Sequence, residues 1–207
     1  MVNNSRNTSD TSQLRQSWIK HDRIMDEKLK PVSDSIFKSI GIPDGHKFLD
    51  IGSGAGSTTM RLKALVGSTA SVTGIDISEP MVAFAREKSK AIDNVDFVLG
   101  NAQNYKFGLS KFDGAMSRMG VMFFTNPIQA FSNIHSALNK GGFLTFACWA
   151  PVEEGELTDL LLQVALKHTG KPHNHPETAV GPDAFNDKEY VKSILSSSGF
   201  SNLSIET

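Results

Sequence analysis

The chain has 207 residues, of which 39% are hydrophobic and 21% are charged, and its formal net charge is −1. These values indicate one ordinary globular domain. They exclude a strongly basic protein that binds the phosphates of nucleic acid. No apolar run reaches the roughly 18 residues of a membrane-spanning helix, and the polar start of the chain lacks the apolar core of a secretory signal. The single cysteine favours a reducing compartment, so we expect a cytoplasmic protein without nucleic-acid or membrane partners.

The first 40 residues predict a helical extension. Apolar residues recur at roughly helical spacing from Asp10 onward, and Pro31 divides the pattern into two helices. A turn-forming segment, 41–45, then precedes the first predicted strand. We therefore divide the chain into an extension, 1–40, and a main domain, 41–207.

Strands and helices alternate through the centre of the main domain. Such alternation predicts an α/β fold in which mostly parallel strands form a doubly wound, Rossmann-like sheet with helices on both faces. The predicted strands are 47–51, 71–76, 95–99, 112–116 and 143–149. The predicted helices between them are 57–66, 78–90 and 127–138, with Ser78 as the cap of the second.

The pattern changes after residue 150. An apolar stripe predicts a helix over 156–168, and a loop rich in Pro, His and Gly follows. A further helix is expected over 187–197 and a short strand over 200–205. We interpret 150–188 as an insertion on the substrate side of the domain.

A glycine-rich turn follows the first predicted strand. The apolar run ends at the segment Gly52-Ser53-Gly54-Ala55-Gly56, and a helical pattern begins directly after it. Glycine suits a turn where a ligand lies against bare backbone, because a Cβ atom would hold the ligand away. Asp76 ends the second strand, at a position where a carboxylate can accept both hydroxyls of a ribose. The pattern therefore predicts a ligand that contains adenosine.

Five motifs follow one another in a specific order, although none of them would be specific alone. Together they resemble the class I S-adenosylmethionine-dependent methyltransferases, and they are similar to the branch that methylates small molecules, which includes the quinone-biosynthesis methyltransferases. The resemblance extends from about Trp18 to Ile205. The motifs read LDIGSGAG, GIDISEPMVAFAR, GNAQ, FDGAMSRMGVMFF and ALNKGGFLTFACW.

The resemblance implies that the cofactor is S-adenosylmethionine and assigns its site residue by residue. The methionine part of the cofactor would face Asp50, Gly52, Ser53 and Gly54. Asp76 would hold the ribose hydroxyls.

The adenine would contact Ile77 and Met81. Asn101 stands where the family commonly has an aspartate, and its amide oxygen can still accept a bond from the adenine amino group. Ala102 would line the same rim. Ser117 and Arg118 end the fourth strand, where ligands of open α/β sheets bind.

The chain departs from the family at its C-terminal end. The family fold closes with a sixth strand and an antiparallel seventh, whereas this sequence stops at Thr207. We expect either a truncated version or a sheet that closes in another way. An unpaired sheet edge invites pairing, so a contact between copies of the chain through that edge is a further expectation.

The expected reaction is the transfer of a methyl group to a small organic acceptor, in which the protein mainly positions the reactants. A helical lid over 10–28, with Trp18 and His21, would exclude water. A base is needed only for a hydroxyl or a weak carbon acid, and the candidates are His21, His173 and His175. These histidines lack the companion ligands of a zinc site, so no metal is expected.

Two other functions stay open at this point. A binding module without catalysis would keep the cofactor site and transfer no methyl group. A nicotinamide-dependent oxidoreductase would share Asp76, but the G-x-G-x-G turn lacks the dinucleotide spacing. Neither Tyr105 nor Tyr190 lies in a Tyr-x-x-x-Lys pattern. A nucleic-acid methyltransferase is disfavoured by the charge.

Overall fold

A computed structural model describes residues 19–40, 46–108, 111–151, 155, 164, 166–168 and 180–207. Strands and helices alternate through it as the sequence predicts. The helices are α1 (Asp22–Lys28), α2 (Lys30–Ser39), α3 (Ser57–Leu65), α4 (Glu79–Ser89), α5 (Pro127–Ala137) and α6 (Lys188–Ser197). The strands are β1 (Lys47–Ile51), β2 (Ser71–Asp76), β3 (Val95–Leu99), β4 (Phe112–Arg118) and β5 (Leu138–Ala147), and a 3₁₀ turn spans Val121–Phe123.

The five strands form one parallel sheet in the order β3-β2-β1-β4-β5. The chain adds strands on one side of β1 and then returns to add the others on the opposite side. Asp50 of β1 lies between Gly74 of β2 and Met116 of β4 in the register. Ligands of such sheets bind where the strand order reverses, at the carboxyl ends of the strands, and here that place is between β1 and β4.

Apolar side chains cover both faces of the sheet. Phe48 and Val72 pack with Ile36 and Leu62 of α2 and α3 on one face. Leu49 and Ile51 point to the opposite face, since side chains alternate along a strand. There they belong to the core that includes Phe131 and Ile134 of α5 and Ile194 of α6. The doubly wound fold with helices on both faces is thereby confirmed.

Three strand boundaries differ from the prediction, and one of them is the end of β5 at Ala147, two residues before the predicted end. β4 continues to Arg118, two residues beyond the predicted end. β5 begins at Leu138, five residues before the predicted start, because the backbone becomes extended directly after α5. The pairing of β5 with β4 is irregular near its start, where Phe112 pairs with Leu138 and Gly114 with Phe143.

The predicted strand over 200–205 is wrong. The structure describes these residues and shows no strand there, and Asn202 has a φ of 56°, which breaks an extended backbone. A strand also needs a hydrogen-bonding partner, and among the described residues β5 pairs with β4 alone. The edge contact between copies of the chain stays a prediction.

The two ends of the chain are described in part. Leu29 separates α1 from α2, and Pro31 lies in the first turn of α2, where its missing N–H leaves no bond broken. Trp18 and most of the helix predicted over 156–168 lie outside the described residues, although Leu166, Lys167 and His168 are helical. Across the described part of the chain, no helix combines the length and apolar character needed to cross a bilayer.

Candidate functional site

The glycine-rich turn lies at the carboxyl end of β1. Gly52, Gly54 and Gly56 have φ values of 69°, 54° and 82°, in the left-handed region that glycine tolerates best. The backbone N–H groups of Gly52 and Ser53 donate to the carbonyl of Ile75, over 2.9 and 3.1 Å. These bonds hold the turn against the end of β2.

The three glycines have different neighbours. A Cβ atom on Gly52 would lie 2.8 Å from Cα of Gly120, and one on Gly56 would lie 2.6 Å from Cζ of Phe97. Packing within the protein therefore explains these two glycines without a ligand. A Cβ atom on Gly54 would meet nothing within 4 Å. Gly54 is thus the glycine of the turn that borders open space.

Gly120 is a site residue that the sequence interpretation missed. A Cβ atom there would lie 2.6 Å from the carbonyl oxygen of Ile51. The loop after β4 therefore passes directly against the end of β1. The only signal in the sequence is a glycine two residues after the strand, which gives no hint of its partner.

Asp76 links the ends of two loops. Its Oδ2 accepts a bond from the backbone N–H of Gly54, and its Oδ1 accepts one from the N–H of Ser78, each over 2.8 Å. Each carboxylate oxygen keeps a further lone pair for another donor. The carboxylate thus lies beside the open space above Gly54.

Ser78 occupies the N-cap position of α4, as predicted, but its hydroxyl makes no cap bond. Pro80 stands at the second helical position and has no N–H to donate. The buried Ser78 Oγ has no hydrogen-bond partner among the described residues.

Asp50 is fully buried beneath the turn. Its Oδ2 accepts bonds from the hydroxyls of Thr58 and Thr59, over 2.7 and 2.6 Å, whereas its Oδ1 has no partner within the described part of the chain. Burial raises the pKa of this carboxyl group, while the two threonine bonds and the charge of Arg118 oppose that rise.

The negative charge of Asp76 raises the pKa of Asp50 further. Ser53 Oγ is also buried and without a partner among the described residues. Buried polar atoms are nearly always hydrogen-bonded in folded proteins. Unpartnered atoms on Asp50 and Ser53, next to the bare backbone of Gly54, therefore mark a place for a polar ligand or water.

Ser117 and Arg118 end β4 but have different partners. The buried hydroxyl of Ser117 donates to the carbonyl of Ile51 over 2.7 Å and accepts from the N–H of Gly120. It therefore ties β4 to β1. Nη1 of Arg118 donates to Asp26 Oδ1 over 2.7 Å and to Ser33 Oγ over 2.8 Å. Arg118 thus anchors the N-terminal helices to this end of the sheet.

Helix α1 has a second anchor at its other end. Asp22 accepts a bond from the hydroxyl of Ser57, the first residue of α3, over 3.0 Å. It also accepts one from Nζ of Lys88 in α4, over 2.6 Å. Asp22 and Asp26 lie four residues apart, on one side of the helix. Helix α1 is therefore attached both to the start of α3 and to the end of β4.

Of the residues predicted to contact adenine, Ile77, Asn101 and Ala102 lie on loops, and Met81 lies in the first turn of α4. Ile77 is 60% exposed although it is a large apolar residue, whereas Met81 and Ala102 are buried. Oδ1 of Asn101 accepts a bond from the N–H of Gln103 over 3.0 Å. Gln103 in turn accepts from the N–H of Asn126 at the start of α5. Ile77 is thus an exposed apolar surface beside Asp76.

Among the described residues, no histidine lies in this cluster. His21 is exposed at the N-cap position of α1, and its ring has no hydrogen bond to any described residue. His173 and His175 lie outside the described residues. Where the structure describes the chain, no three His, Cys, Asp or Glu residues form a group that could hold a metal ion.

Comparison with known proteins places this arrangement in a class. Residues 48–142 match the family described as methyltransferase domain. The chain is 31% identical over 149 residues to the demethylmenaquinone methyltransferase of Staphylococcus aureus (strain MRSA252), a match that covers 70% of this chain and 62% of the relative. The chain therefore spans less than two thirds of the length of that relative.

Solved structures agree on the fold. A SAM-dependent methyltransferase from Aquifex aeolicus superposes with a TM-score of 0.61 at 20% identity, over 81% of this chain and 78% of the other. Phosphoethanolamine N-methyltransferase 2 from Haemonchus contortus, in complex with S-adenosyl-L-methionine, gives a TM-score of 0.61 at 23% identity, over 83% and 37%.

The matches confirm the resemblance to class I S-adenosylmethionine-dependent methyltransferases: residues 48–142 match a methyltransferase domain, and the solved structures share the fold. Among these, it is similar to the methyltransferases of quinone biosynthesis.

Proposed function

We propose that this protein transfers a methyl group from S-adenosylmethionine to a small, partly apolar organic acceptor. The observation that carries the proposal is the group formed by Asp50, Gly54 and Asp76 at the carboxyl ends of β1 and β2. It combines an unpartnered carboxylate oxygen, a bare backbone position and a second carboxylate. The matched methyltransferase domain, residues 48–142, contains all three residues.

These residues fit the three parts of the cofactor. The free oxygen of Asp50 suits the positively charged ammonium group of the methionine part. Gly54 leaves room against the backbone, and Asp76 keeps lone pairs for the ribose hydroxyls. Ile77 offers an exposed apolar surface for the adenine. Met81, Asn101 and Ala102 complete the proposed adenine rim.

The bound cofactor would supply a methyl group that is already activated on a sulfonium. The residues of the chain bind, orient and exclude water, and positioning alone can contribute about 7–11 kcal/mol to lowering a barrier. Ser117 contributes by holding β4 against β1, and Arg118 by holding the N-terminal helices. For a hydroxyl acceptor a base is required, and His21, His173 and His175 stay the candidates.

We also propose that the segment 10–28 is a lid over the site. Its described part includes α1, which is attached through Asp22 to the start of α3 and through Asp26 to Arg118. A helix that is held by polar side chains can cover a binding site, and it can uncover the site when these bonds break. The lid would belong to the extension 1–40, and the cofactor site to the domain 41–207.

The acceptor site is proposed for the ends of β4 and β5. Phe123 is 58% exposed and Trp149 is 50% exposed, and both follow these strand ends. The N–H of Met119 donates to the carbonyl of Ala147, which brings the two segments together. Exposed aromatic rings suit a flat, apolar acceptor, and the substrate named for the Staphylococcus aureus relative, demethylmenaquinone, is of that kind. The insertion 150–188 would complete this site.

Isothermal titration calorimetry with S-adenosylhomocysteine tests the cofactor site. The wild type should bind, and Gly54→Ala should lower the affinity at least about tenfold, because the new Cβ would enter the space of the ligand. Gly141→Ala is the matched control. Gly141 also has a positive φ, 82°, and a Cβ atom there would meet nothing within 4 Å, so it shares the backbone strain but lies far along the chain from the turn.

Three results would contradict the proposal. If the wild type gives no heat of binding at millimolar S-adenosylhomocysteine, the proposed cofactor site is wrong. A thermal shift with NADH in its place would favour the oxidoreductase. Binding without transfer of a labelled methyl group to quinone precursors would favour the binding module without catalysis.

A further inference from the structure

Two neighbouring threonines bind the same oxygen of Asp50. The hydroxyls of Thr58 and Thr59, in the first turn of α3, both donate to Oδ2. A carboxylate oxygen has two lone pairs, so these two bonds saturate Oδ2. Only Oδ1 can therefore accept further hydrogen bonds, and it has no partner among the described residues.

The threonines have no other evident task at this position. Both side chains are buried, with exposures of 5% and 0%, and α3 has no hydrogen bond from a side chain that caps its N-terminus. Threonine is a mediocre helix former, so helix stability does not favour two in succession. A β-branched side chain is, however, stiff about χ1. Two stiff donors hold the carboxylate in one orientation.

We propose that Thr58 and Thr59 are positioning residues that saturate Oδ2 of Asp50 and so present Oδ1, as an anion, to the ammonium group of the bound cofactor. This inference rests on the proposed function, because it assumes a ligand with an amino-acid end. The competing explanation is purely structural: the two bonds only fasten α3 to β1.

The charges around Asp50 explain why the two hydroxyls matter. Burial raises the pKa of the Asp50 carboxyl group, and Asp76 raises it further, while the threonine bonds and Arg118 lower it. Removing the hydroxyls leaves burial less opposed, so the carboxyl group takes up a proton at a higher pH. A protonated Asp50 has no charge with which to attract an ammonium group.

The test compares two ligands that differ at the amino-acid end. S-Adenosylhomocysteine carries the ammonium group, whereas 5′-methylthioadenosine keeps the nucleoside and the thioether but lacks it. Calorimetry would be run on the wild type and on the double variants Thr58→Val/Thr59→Val and Thr58→Ser/Thr59→Ser. Valine keeps the branched shape without the hydroxyl, and serine restores the hydroxyl.

We expect the valine variant to lose about tenfold or more in affinity for S-adenosylhomocysteine, the value of a hydrogen bond to a charged group. Its affinity for 5′-methylthioadenosine should change less than about twofold. The loss should grow as the pH is lowered, because protonation of Asp50 is favoured at lower pH. The serine variant should recover most of the affinity.

Equal losses for both ligands, or no loss for either, would overturn the inference in favour of the structural explanation. A wild type that binds neither ligand would instead refute the proposed function. If the double valine variant does not fold, the single variants Thr58→Val and Thr59→Val provide the same comparison, since each removes one hydroxyl and leaves the other bond to Oδ2 in place. Each should also lose affinity for S-adenosylhomocysteine selectively, and an unselective loss would again overturn the inference.

Discussion

The two ends of the parallel sheet differ in whether their polar groups have hydrogen-bond partners. At the amino end, Nζ of Lys63 donates to the carbonyls of Gly67, Ser68 and Ala70, over 2.9, 3.0 and 2.7 Å. Asp113 of β4 accepts bonds from the N–H of Lys47 and from the side chain of Asn139.

At the carboxyl end, Asp50 Oδ1, Ser53 Oγ and Ser78 Oγ are buried, and none of them has a partner among the described residues. These are three of the four such side-chain atoms in the described part of the chain.

Under the proposed function, this difference separates polar groups that stabilise the fold from polar groups that bind the cofactor. A buried polar group without a partner costs free energy, and a bound ligand that supplied the missing bond would offset that cost. Lys63 and Asp113 are satisfied by the chain itself and stabilise it. Asp50 is half satisfied, and its free oxygen lies at the predicted cofactor site. Four substitutions test whether this division between the two ends holds.

The largest expected effect is from Gly52→Ala at the carboxyl end. The new Cβ would lie 2.8 Å from Cα of Gly120, and the φ of 69° adds strain. Backbone atoms on both sides cannot move easily, so we expect a loss of about 2–4 kcal/mol of stability. A thermal melt should show it, with Gly54→Ala as the matched control that loses only about 1–2 kcal/mol. Similar melting of the two variants would show that the approach of the two backbones is not tight.

Lys63→Met tests the amino end. It leaves three carbonyl groups without their charged donor, and we expect a loss of about 2–3 kcal/mol of stability. The affinity for S-adenosylhomocysteine should stay within about twofold of the wild type, because Lys63 serves the fold alone. Chemical denaturation and calorimetry measure the two quantities. Lys38→Met, at an exposed lysine, is the control. A weaker affinity for S-adenosylhomocysteine in Lys63→Met would show that the amino end of the sheet also affects ligand binding.

Asp26→Asn tests the lid at the carboxyl end. It removes the charge that pairs with Arg118, whose side chain is only 13% exposed. If α1 covers the site, S-adenosylhomocysteine should dissociate about 3- to 10-fold faster, as measured by stopped-flow release. Glu27→Gln breaks an exposed pair with Arg23 and should leave the rate unchanged. Equal rates in wild type and Asp26→Asn would argue against the lid.

The smallest effect is expected from Asp113→Asn at the amino end. The backbone N–H of Lys47 and the amide of Asn139 lower the pKa of Asp113 below its ordinary value of 3.8. A lowered pKa stabilises the fold at pH values above 3.8, and this stabilisation disappears as the pH falls through the folded-state pKa. At pH 6 the wild type should therefore have a slightly higher melting temperature than the variant. The difference in the free energy of unfolding should be no more than about 1 kcal/mol after solvent screening. The two melting curves should converge in acid, and a constant difference would exclude a charge effect.

The sequence alone determined the central strands and the location of the candidate site. The bounds of β1, β2 and β3 follow from short apolar runs that end at glycine or polar residues, because burial on both faces of a parallel sheet demands such runs. The positions of Gly54 and Asp76 follow from the same local pattern, since both lie where strands end. Short-range physics suffices for these features.

Only the tertiary structure decided which groups are satisfied. Arg118 meets Asp26, 92 residues away, and Gly52 meets Gly120. Neither contact can be predicted from the local pattern of residues. The strand predicted over 200–205 is absent for the same reason, because a strand forms only where another strand offers its hydrogen bonds. The free oxygen of Asp50 likewise depends on where α3 places two hydroxyls, which is a matter of packing geometry.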